Sequence, residues 1–438
     1  MVPITRRTAL KASAAGLGLA VRANPLRAAS HAQHALPAAL EGERLFADVS
    51  TYVDFGVHHT GKAGDRATSD WQAEHLEALG LEVERQSFEL EQFFEAEASL
   101  LLADGRAVTV AAQPPATTTD AAITAPLAEL GTADSAAGAI VLIPLEGDNN
   151  TIDESAKLAQ FDAAFEAGAA AVVVLCDHPS GRIQFGNVSD ARAHWRVPLV
   201  LAGRADAERL RGAVGTPATL TLTGETRPIR AQNVQGRLRR SPQWIVVSTP
   251  QSGWTTCGGE RGPGIAYFRA LATWAAGLEG GPSWLFTSNS GHERHNLGAR
   301  VAHEAGTLPR PEDTALWLHL GAGIAQRDWV AREHGLELLD EKSYTLASCD
   351  WRDAWTVLRH FWGTSTAVVP HQWLAFGELI EVVEHGYSRN LGVVSEQPYH
   401  HVPGDLANTT SPEILETVGR AIHGALGDLV PTLPGDTT

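Results

Sequence analysis

The sequence predicts an α/β protein in which helices cover both faces of a doubly wound, mainly parallel sheet, with a β-rich domain inserted into it. Along the second half of the chain, apolar runs of strand length alternate with segments of helical spacing. Between about residues 93 and 225 the composition changes to Ala, Thr and Val in shorter alternating runs. A chain of 438 residues also exceeds one ordinary core. We therefore predict an α/β domain of residues 38–92 and 226–432, interrupted by a domain of residues 93–225.

Residues 1–32 have the order of a twin-arginine export signal. Arg6 and Arg7 precede a weakly apolar stretch at 12–21, and a run of small residues follows near 28–30. The alternative is a short amphipathic helix of the folded body. The signal hypothesis predicts that this segment is removed and that the protein is periplasmic or secreted.

The acidic charge balance argues against nucleic-acid and membrane partners. The net charge is −17, and the predicted signal holds five basic residues and no acidic one, so its removal gives −17 − 5 = −22. Such a surface repels nucleic acid and anionic lipid. No later apolar run reaches the roughly 18 to 20 residues of a spanning helix. The sequence does not indicate an oligomeric state. It does not indicate a disulfide either, because Cys176, Cys257 and Cys349 are widely spaced and leave open one bridge or none.

The first half of the chain predicts two helices and a strand between residues 40 and 89, and then two strands that flank a third helix. Residues 68–79 have helical spacing that ends at Gly80, and residues 81–85 alternate as a strand. In the predicted insert, the apolar runs 139–143 and 170–175 flank a helical segment at 153–168. This β-α-β order is typical of a small separate α/β unit.

The second half predicts three buried strands and two helices. The strands are 244–248, 284–287 and 315–320, and the helices are 264–277 and 297–306. Continuous apolar strands are typical of a parallel sheet covered on both faces. Sheets of this kind bind ligands at the carboxyl ends of their strands, so we expect the site in the loops that follow.

Several segments occur in an order that resembles the zinc aminopeptidase family. They are residues 59–68, the re-entry into the sheet at 233–237 and the closing loop Tyr399-His400-His401-Val402-Pro403-Gly404-Asp405. The middle region resembles the protease-associated domain that many members insert. The family also contains glutamate carboxypeptidase, glutaminyl cyclase and the non-enzymatic transferrin receptor. The resemblance implies the fold predicted above and a peptidase ancestry.

The family holds two zinc ions, and the resemblance places other residues at several of their ligand positions. Pro250, Ser252 and Gly321 stand where a His and two Asp ligands are expected, and none is an effective zinc ligand. Carboxylate or imidazole ligands remain at three positions, which are Glu260, Glu293 and His401. The resemblance therefore implies either one zinc ion, held by these three residues, or no metal.

The family's general base corresponds to His292, followed by the retained carboxylate of Glu293, and these two are the candidate catalytic residues. A neutral imidazole can accept a proton near physiological pH. The alternative is that His292 only forms a hydrogen bond with a neighbouring loop.

Six further residues border the same cavity in this alignment and are candidate substrate-binding residues. Aromatic faces and a guanidinium suit an acidic or planar ligand, although ordinary packing explains them equally well. Cys257 is also a candidate nucleophile, because it lies in a glycine-rich turn before a helix. The six are Trp254, Cys257, Arg261, His319, Tyr399 and His400.

Two functions from different classes follow. The first is an exported hydrolase that acts on an amide, peptide or related acyl bond of a small-molecule or peptide substrate, with an altered site that holds at most one metal ion. The second is a non-catalytic protein that binds a ligand or partner on the same scaffold. A stoichiometric metal would favour the enzyme.

Overall fold

The computed structural model describes residues 36–130, 136–145, 147–333, 335–395, 397–431 and 433. The predicted signal at 1–32 lies outside these residues, so export stays a prediction. Among the described residues, no helix has both the length and the apolar character that crossing a membrane requires. Cys176, Cys257 and Cys349 are buried free thiols.

Within the described residues, a mixed sheet of 14 strands is accompanied by a separate sheet of two. The strands are β1 Glu82–Leu102, β2 Ala107–Val108, β3 Val110–Ala112, β4 Ile123–Glu129, β5 Ile140–Pro144, β6 Ala171–Leu175, β7 Leu199–Ala202, β8 Pro217–Leu238, β9 Trp244–Pro250, β10 Ser283–Asn289, β11 Thr314–Leu320, β12 Arg327–Arg332, β13 Gly335–Lys342, β14 Thr345–Cys349, β15 Thr366–Pro370 and β16 Asn390–Ser395.

Nine α-helices fall in the described residues. They are α1 Gly42–Asp54, α2 Ala63–Ala78, α3 Ser155–Glu166, α4 Arg204–Gly212, α5 Gly262–Gly277, α6 Leu297–Glu304, α7 Ala354–Phe361, α8 Leu379–Glu384 and α9 Pro412–Leu429. Short 3-10 turns occur at Ala38–Leu40, His292–Arg294, Pro311–Asp313 and Ala407–Thr409.

The centre of the large sheet is parallel and is covered on both faces, as predicted. In the order β15-β14-β16-β11-β9-β10-β8, the neighbours β16, β11, β9 and β10 are parallel. Ile245 and Val247 of β9 pack into a core with residues of α1, α5 and α9, whereas Val246 packs on the opposite face with residues of α8. Burial on both faces explains the continuous apolar runs of these strands.

The long strands β1 and β8 connect the predicted insert to this centre. They pair antiparallel from Glu82 opposite Arg237 to Leu102 opposite Ala218. The segment between β1 and β8, with the adjoining ends of these two strands, contains two further apolar clusters, built largely from β4, β5, β6 and β7. Phe93 lies opposite Thr226, so both predicted domain boundaries fall inside continuous strands. The division into two domains stays a prediction.

Most predicted elements have the expected positions, but the helix predicted at 68–79 begins earlier. Helix α2 starts at Ala63, five residues before the predicted start at 68. The Asp65 carboxylate accepts the Gly61 N–H at 2.7 Å, which supports a first turn upstream of the polar residues that suggested a later start. Strand β1 is also far longer than the predicted 81–85, because pairing with β8 extends it.

The carboxyl ends of β9, β10 and β11 lie side by side. The loops that follow them cover residues 251–261, 290–296 and 321–326. Because the three strands are parallel, their loops meet at one edge of the sheet. Most of the candidate site residues lie in these loops or in the closing loop 397–405.

Candidate functional site

The loop after β9 is tightly folded and presents Glu260 and Arg261 at the start of α5. A side chain at Gly253 would meet the Cys257 sulfur at 2.4 Å, so only glycine fits there. The backbone N–H groups of Gly259 and Glu260 donate to the two oxygens of Asp405, each at 2.8 Å. The closing loop therefore fixes the position of Glu260 through a carboxylate that was not among the predicted site residues.

Glu260 and Arg261 form a buried ion pair at the centre of the site. Arg261 Nη2 lies 2.8 Å from Glu260 Oε1, and the side chains are 1% and 0% exposed. Burial raises the pKa of Glu260, but neighbouring positive charge, above all that of Arg261, outweighs it, so the net shift is downward. The carboxylate stays ionised, and its nearest counter-charge is the guanidinium.

Two histidines of the closing loop approach the same carboxylate. Nε2 of His401 lies 3.5 Å and Nε2 of His400 lies 3.8 Å from Glu260 Oε1. These three residues each offer a ligand atom within 4.8 Å of the others, so they form a group that could hold a metal ion. Gln184 and Phe185 support the two histidines, because Gln184 donates to the His400 carbonyl and the Phe185 carbonyl lies 3.2 Å from His401 Nδ1.

Glu293, the third ligand that the resemblance implied, is not brought into this group. Its carboxylate accepts the N–H and the hydroxyl of Thr60, both at 2.9 Å, and the Ser252 hydroxyl at 2.5 Å. Glu293 is fully buried. The structure thus places His400 beside Glu260 and His401, and it uses Glu293 to fix two neighbouring loops.

The residues do not fit the metal centre that the family implies. The resemblance assigns Pro250, Ser252 and Gly321 to ligand positions, and none of these three is an effective zinc ligand. A single zinc ion at Glu260 would have to share this carboxylate with the Arg261 guanidinium, which already lies 2.8 Å from it.

His292 lies beside a second buried carboxylate, that of Glu378. Its Nδ1 is 3.5 Å from Glu378 Oε1, and its side chain is 11% exposed. Glu378 Oε2 accepts a hydrogen bond from Asn289 at 2.9 Å. Burial, reinforced by the charge of Arg261, lowers the pKa of His292 well below its usual value, whereas burial raises the pKa of Glu378. The ring is therefore neutral at physiological pH and has a carboxylate that can orient it.

Backbone contacts hold the turn that carries His292. Gly291 has a left-handed φ of 80°, and His292 opens the 3-10 turn that follows. The N–H groups of Gly291 and His292 donate to the Ser252 hydroxyl at 2.9 and 3.2 Å. Ser252 therefore connects the loop after β9 with the loop after β10.

Four of the predicted substrate-binding residues have other partners. Trp254 stacks on Phe185 with ring centroids 5.3 Å apart and donates to Asn187 at 2.9 Å. His319 Nδ1 lies 3.0 Å from the Ser248 hydroxyl, and burial lowers its pKa to about 4. The Arg182 guanidinium lies 5.7 Å from the Tyr399 ring centre.

Cys257 is the fourth of these residues, and its environment does not suit a nucleophile. Burial, reinforced by the carboxylates of Glu260 and Asp405, raises the pKa of its thiol well above the usual value. A reactive cysteine needs the opposite shift, because the thiolate is the nucleophile.

Glu378 and the supporting loop 184–187 are functional features that the sequence did not reveal. Glu378 lies in a segment without a recognisable motif, and only the folded chain brings it to His292. The loop 184–187 belongs to the predicted insert and reaches the site from there. Neither has a local sequence signal, because both act through contacts with distant residues.

Comparison with known proteins shows similarity in fold. No protein-family model matches the sequence, and no curated protein sequence is similar to it. A zinc aminopeptidase from Bacillus subtilis matches with a TM-score of 0.71 and 18% identity, over 90% of this chain and 96% of that chain. A peptidase M28 precursor from Shewanella amazonensis matches with a TM-score of 0.66 and 16% identity, over 90% and 98% of the two chains.

An aminopeptidase from Aneurinibacillus sp. strain AM-1 matches with a TM-score of 0.62 and 15% identity, over 92% and 97%. These similarities extend over almost the whole length of each relative. The chain therefore has the fold of the zinc aminopeptidases, as the resemblance predicted.

Proposed function

We propose that the protein is an exported hydrolase that cleaves an amide, peptide or related acyl bond. The observation that carries the proposal is the neutral imidazole of His292, which lies beside Glu378 in the turn where the family places its general base. The aminopeptidase fold of the chain is consistent with such a substrate. Export rests on the pattern of residues 1–32 alone.

His292 is the group that moves the proton. With Nδ1 facing Glu378, Nε2 is the nitrogen that remains to accept a proton from an attacking water molecule. The water oxygen bonds to the acyl carbon as its proton passes to His292. The imidazolium then returns the proton to the leaving amine or alkoxide, so the ring ends in its starting state.

Arg261 supplies positive charge for the oxygen of the substrate. Its Nη1 is buried and has no hydrogen-bond partner within the described residues. A donor of this kind can hydrogen-bond the acyl oxygen as negative charge develops there, and it acts in surroundings from which water is largely excluded. Glu378 is a positioning residue, because it orients His292 without touching the reacting atoms.

The proposal is tested with the purified protein on panels of peptides, acyl amides and esters. We expect turnover of at least one class, with a loss of about 100-fold to 10,000-fold in His292→Ala, since positioned proton transfer typically contributes that much. His194→Ala is the matched control, because the His194 side chain is exposed to solvent. Glu378→Gln should lower turnover less than His292→Ala and leave substrate affinity near that of the wild type.

A non-catalytic binding protein is the second candidate, and one observation favours it. Glu293, the carboxylate retained from the family's catalytic pair, is fully engaged with Thr60 and Ser252. Absence of turnover on every panel, or turnover unaffected in His292→Ala, would reject the hydrolase mechanism. Saturable binding of a panel compound without turnover would support the second candidate.

A further inference from the structure

The group of Glu260, His400 and His401 has nearly the shape of a metal site. The two imidazole Nε2 atoms lie 3.5 and 3.8 Å from Glu260 Oε1, close to the separation of neighbouring ligands around a tetrahedral ion. His401 Nε2 and Glu260 Oε1 are also buried atoms without a hydrogen-bond partner. Shape alone does not keep a divalent ion out of this group.

The charge of the group is already balanced. The Arg261 guanidinium lies 2.8 Å from Glu260, and both side chains are almost completely buried. A dication at Glu260 would add positive charge beside a buried guanidinium with which this carboxylate already pairs, and adding like charge in a buried place is costly. Electrostatics, and not geometry, opposes a metal ion here.

The guanidinium is also held in place. Its Nε donates to the Ser252 carbonyl at 2.9 Å, and the Ser252 hydroxyl in turn donates to the buried Glu293. Arg261 is 1% exposed, so leaving the site would require its neighbours to move. An arriving ion could therefore displace Arg261 only by breaking these contacts.

We propose that Arg261 is the resident cation of this site: it takes the place of a divalent ion beside Glu260 and excludes one from the group of Glu260, His400 and His401. The exclusion of metal stands apart from any activity. The catalytic use of this charge, to polarise a substrate oxygen, rests on the proposed hydrolase function.

The test is zinc binding by the purified protein, measured by calorimetry and by competition with a chromogenic chelator. We expect Arg261→Met, which removes the charge and retains most of the volume, to bind one zinc ion on the order of 100-fold more tightly than the wild type. Arg261→Lys retains the charge and should bind zinc as weakly as the wild type. Adding His401→Ala to Arg261→Met should abolish the gain, which separates this site from surface histidines.

Two results would overturn the proposal. One is a wild-type protein that binds one equivalent of zinc tightly and loses it in His401→Ala. The other is a folded Arg261→Met protein, verified by circular dichroism, whose zinc affinity equals that of the wild type. If Arg261→Met does not fold, the test compares the zinc affinity of the wild type with that of His401→Ala. Equally weak zinc binding by both proteins supports the exclusion of metal. Tight zinc binding by the wild type that is lost in His401→Ala refutes it. None of these zinc-binding measurements uses a substrate. Failure of the hydrolase proposal is therefore detected separately, in the turnover assays.

Discussion

Replacing Ser252 by alanine should destabilise the protein and loosen the turn that carries His292. The Ser252 hydroxyl donates to Glu293 at 2.5 Å and accepts the N–H groups of Gly291 and His292. Ser252 is fully buried, so water cannot readily replace it. This one oxygen therefore links the loops after β9 and β10 through three hydrogen bonds.

The magnitude follows from the groups that lose a partner. A hydrogen bond to a carboxylate contributes about 1.5–3 kcal/mol, and a buried N–H left without an acceptor costs about 1–3 kcal/mol. Taking values near the lower ends, we expect Ser252→Ala to lower the free energy of unfolding by about 3 kcal/mol. The weaker 3.2 Å contact from His292 adds little.

The assay is urea denaturation followed by tryptophan fluorescence, together with hydrogen exchange of the peptide that covers residues 288–296. The matched control is Ser50→Ala, because among the described residues the Ser50 hydroxyl donates only to the Phe46 carbonyl of its own helix. This control should change stability by less than about 0.5 kcal/mol. A loss below about 1 kcal/mol in Ser252→Ala, with unchanged exchange at 288–296, would refute the reasoning.

Three further predictions concern export, catalysis and stability. Replacing Arg6 and Arg7 by lysine should retain the precursor in the cytoplasm, and unchanged export in a fractionation assay would contradict the signal. Because only the neutral ring accepts a proton and burial lowers the pKa of His292, turnover should be constant from pH 8 to about 6.5 and fall only at lower pH; a fall centred above pH 6.5 would count against His292 as the base. Burial raises the pKa of Asp65 to about 7 from 3.8, so its contribution to stability is fully present below pH 3.8 and is lost as the pH rises to about 7. The unfolding free energy of Asp65→Asn minus that of the wild type, measured by urea denaturation, should therefore be larger at pH 7.5 than at pH 4.5 by a few kcal/mol. A difference that does not change with pH would refute the assignment.

Local patterns in the sequence were sufficient to predict the fold. Strands β9, β10 and β11 were found from apolar runs, because burial on both faces of a parallel sheet leaves a continuous signal within each segment. The order of these segments also placed Glu260, Arg261 and His292 in loops at the carboxyl ends of the strands. That Pro250, Ser252 and Gly321 stand where the resemblance implies metal ligands stays an expectation from the sequence.

The tertiary structure decided which of these residues act together. Sequence order made Glu293 a metal ligand, but its carboxylate is bound by Thr60, which lies 233 positions away. His400 and not Glu293 stands beside Glu260, because the closing loop is held by Gln184 from the predicted insert.

Glu378 has no local signal and reaches His292 only through the path of the chain before α8. Periodicity and propensity are properties of neighbouring residues, and they fix each element and the loop in which a side chain lies. Contacts between distant segments determine the partner of each buried charge, and here they pair the Glu260 carboxylate with a guanidinium.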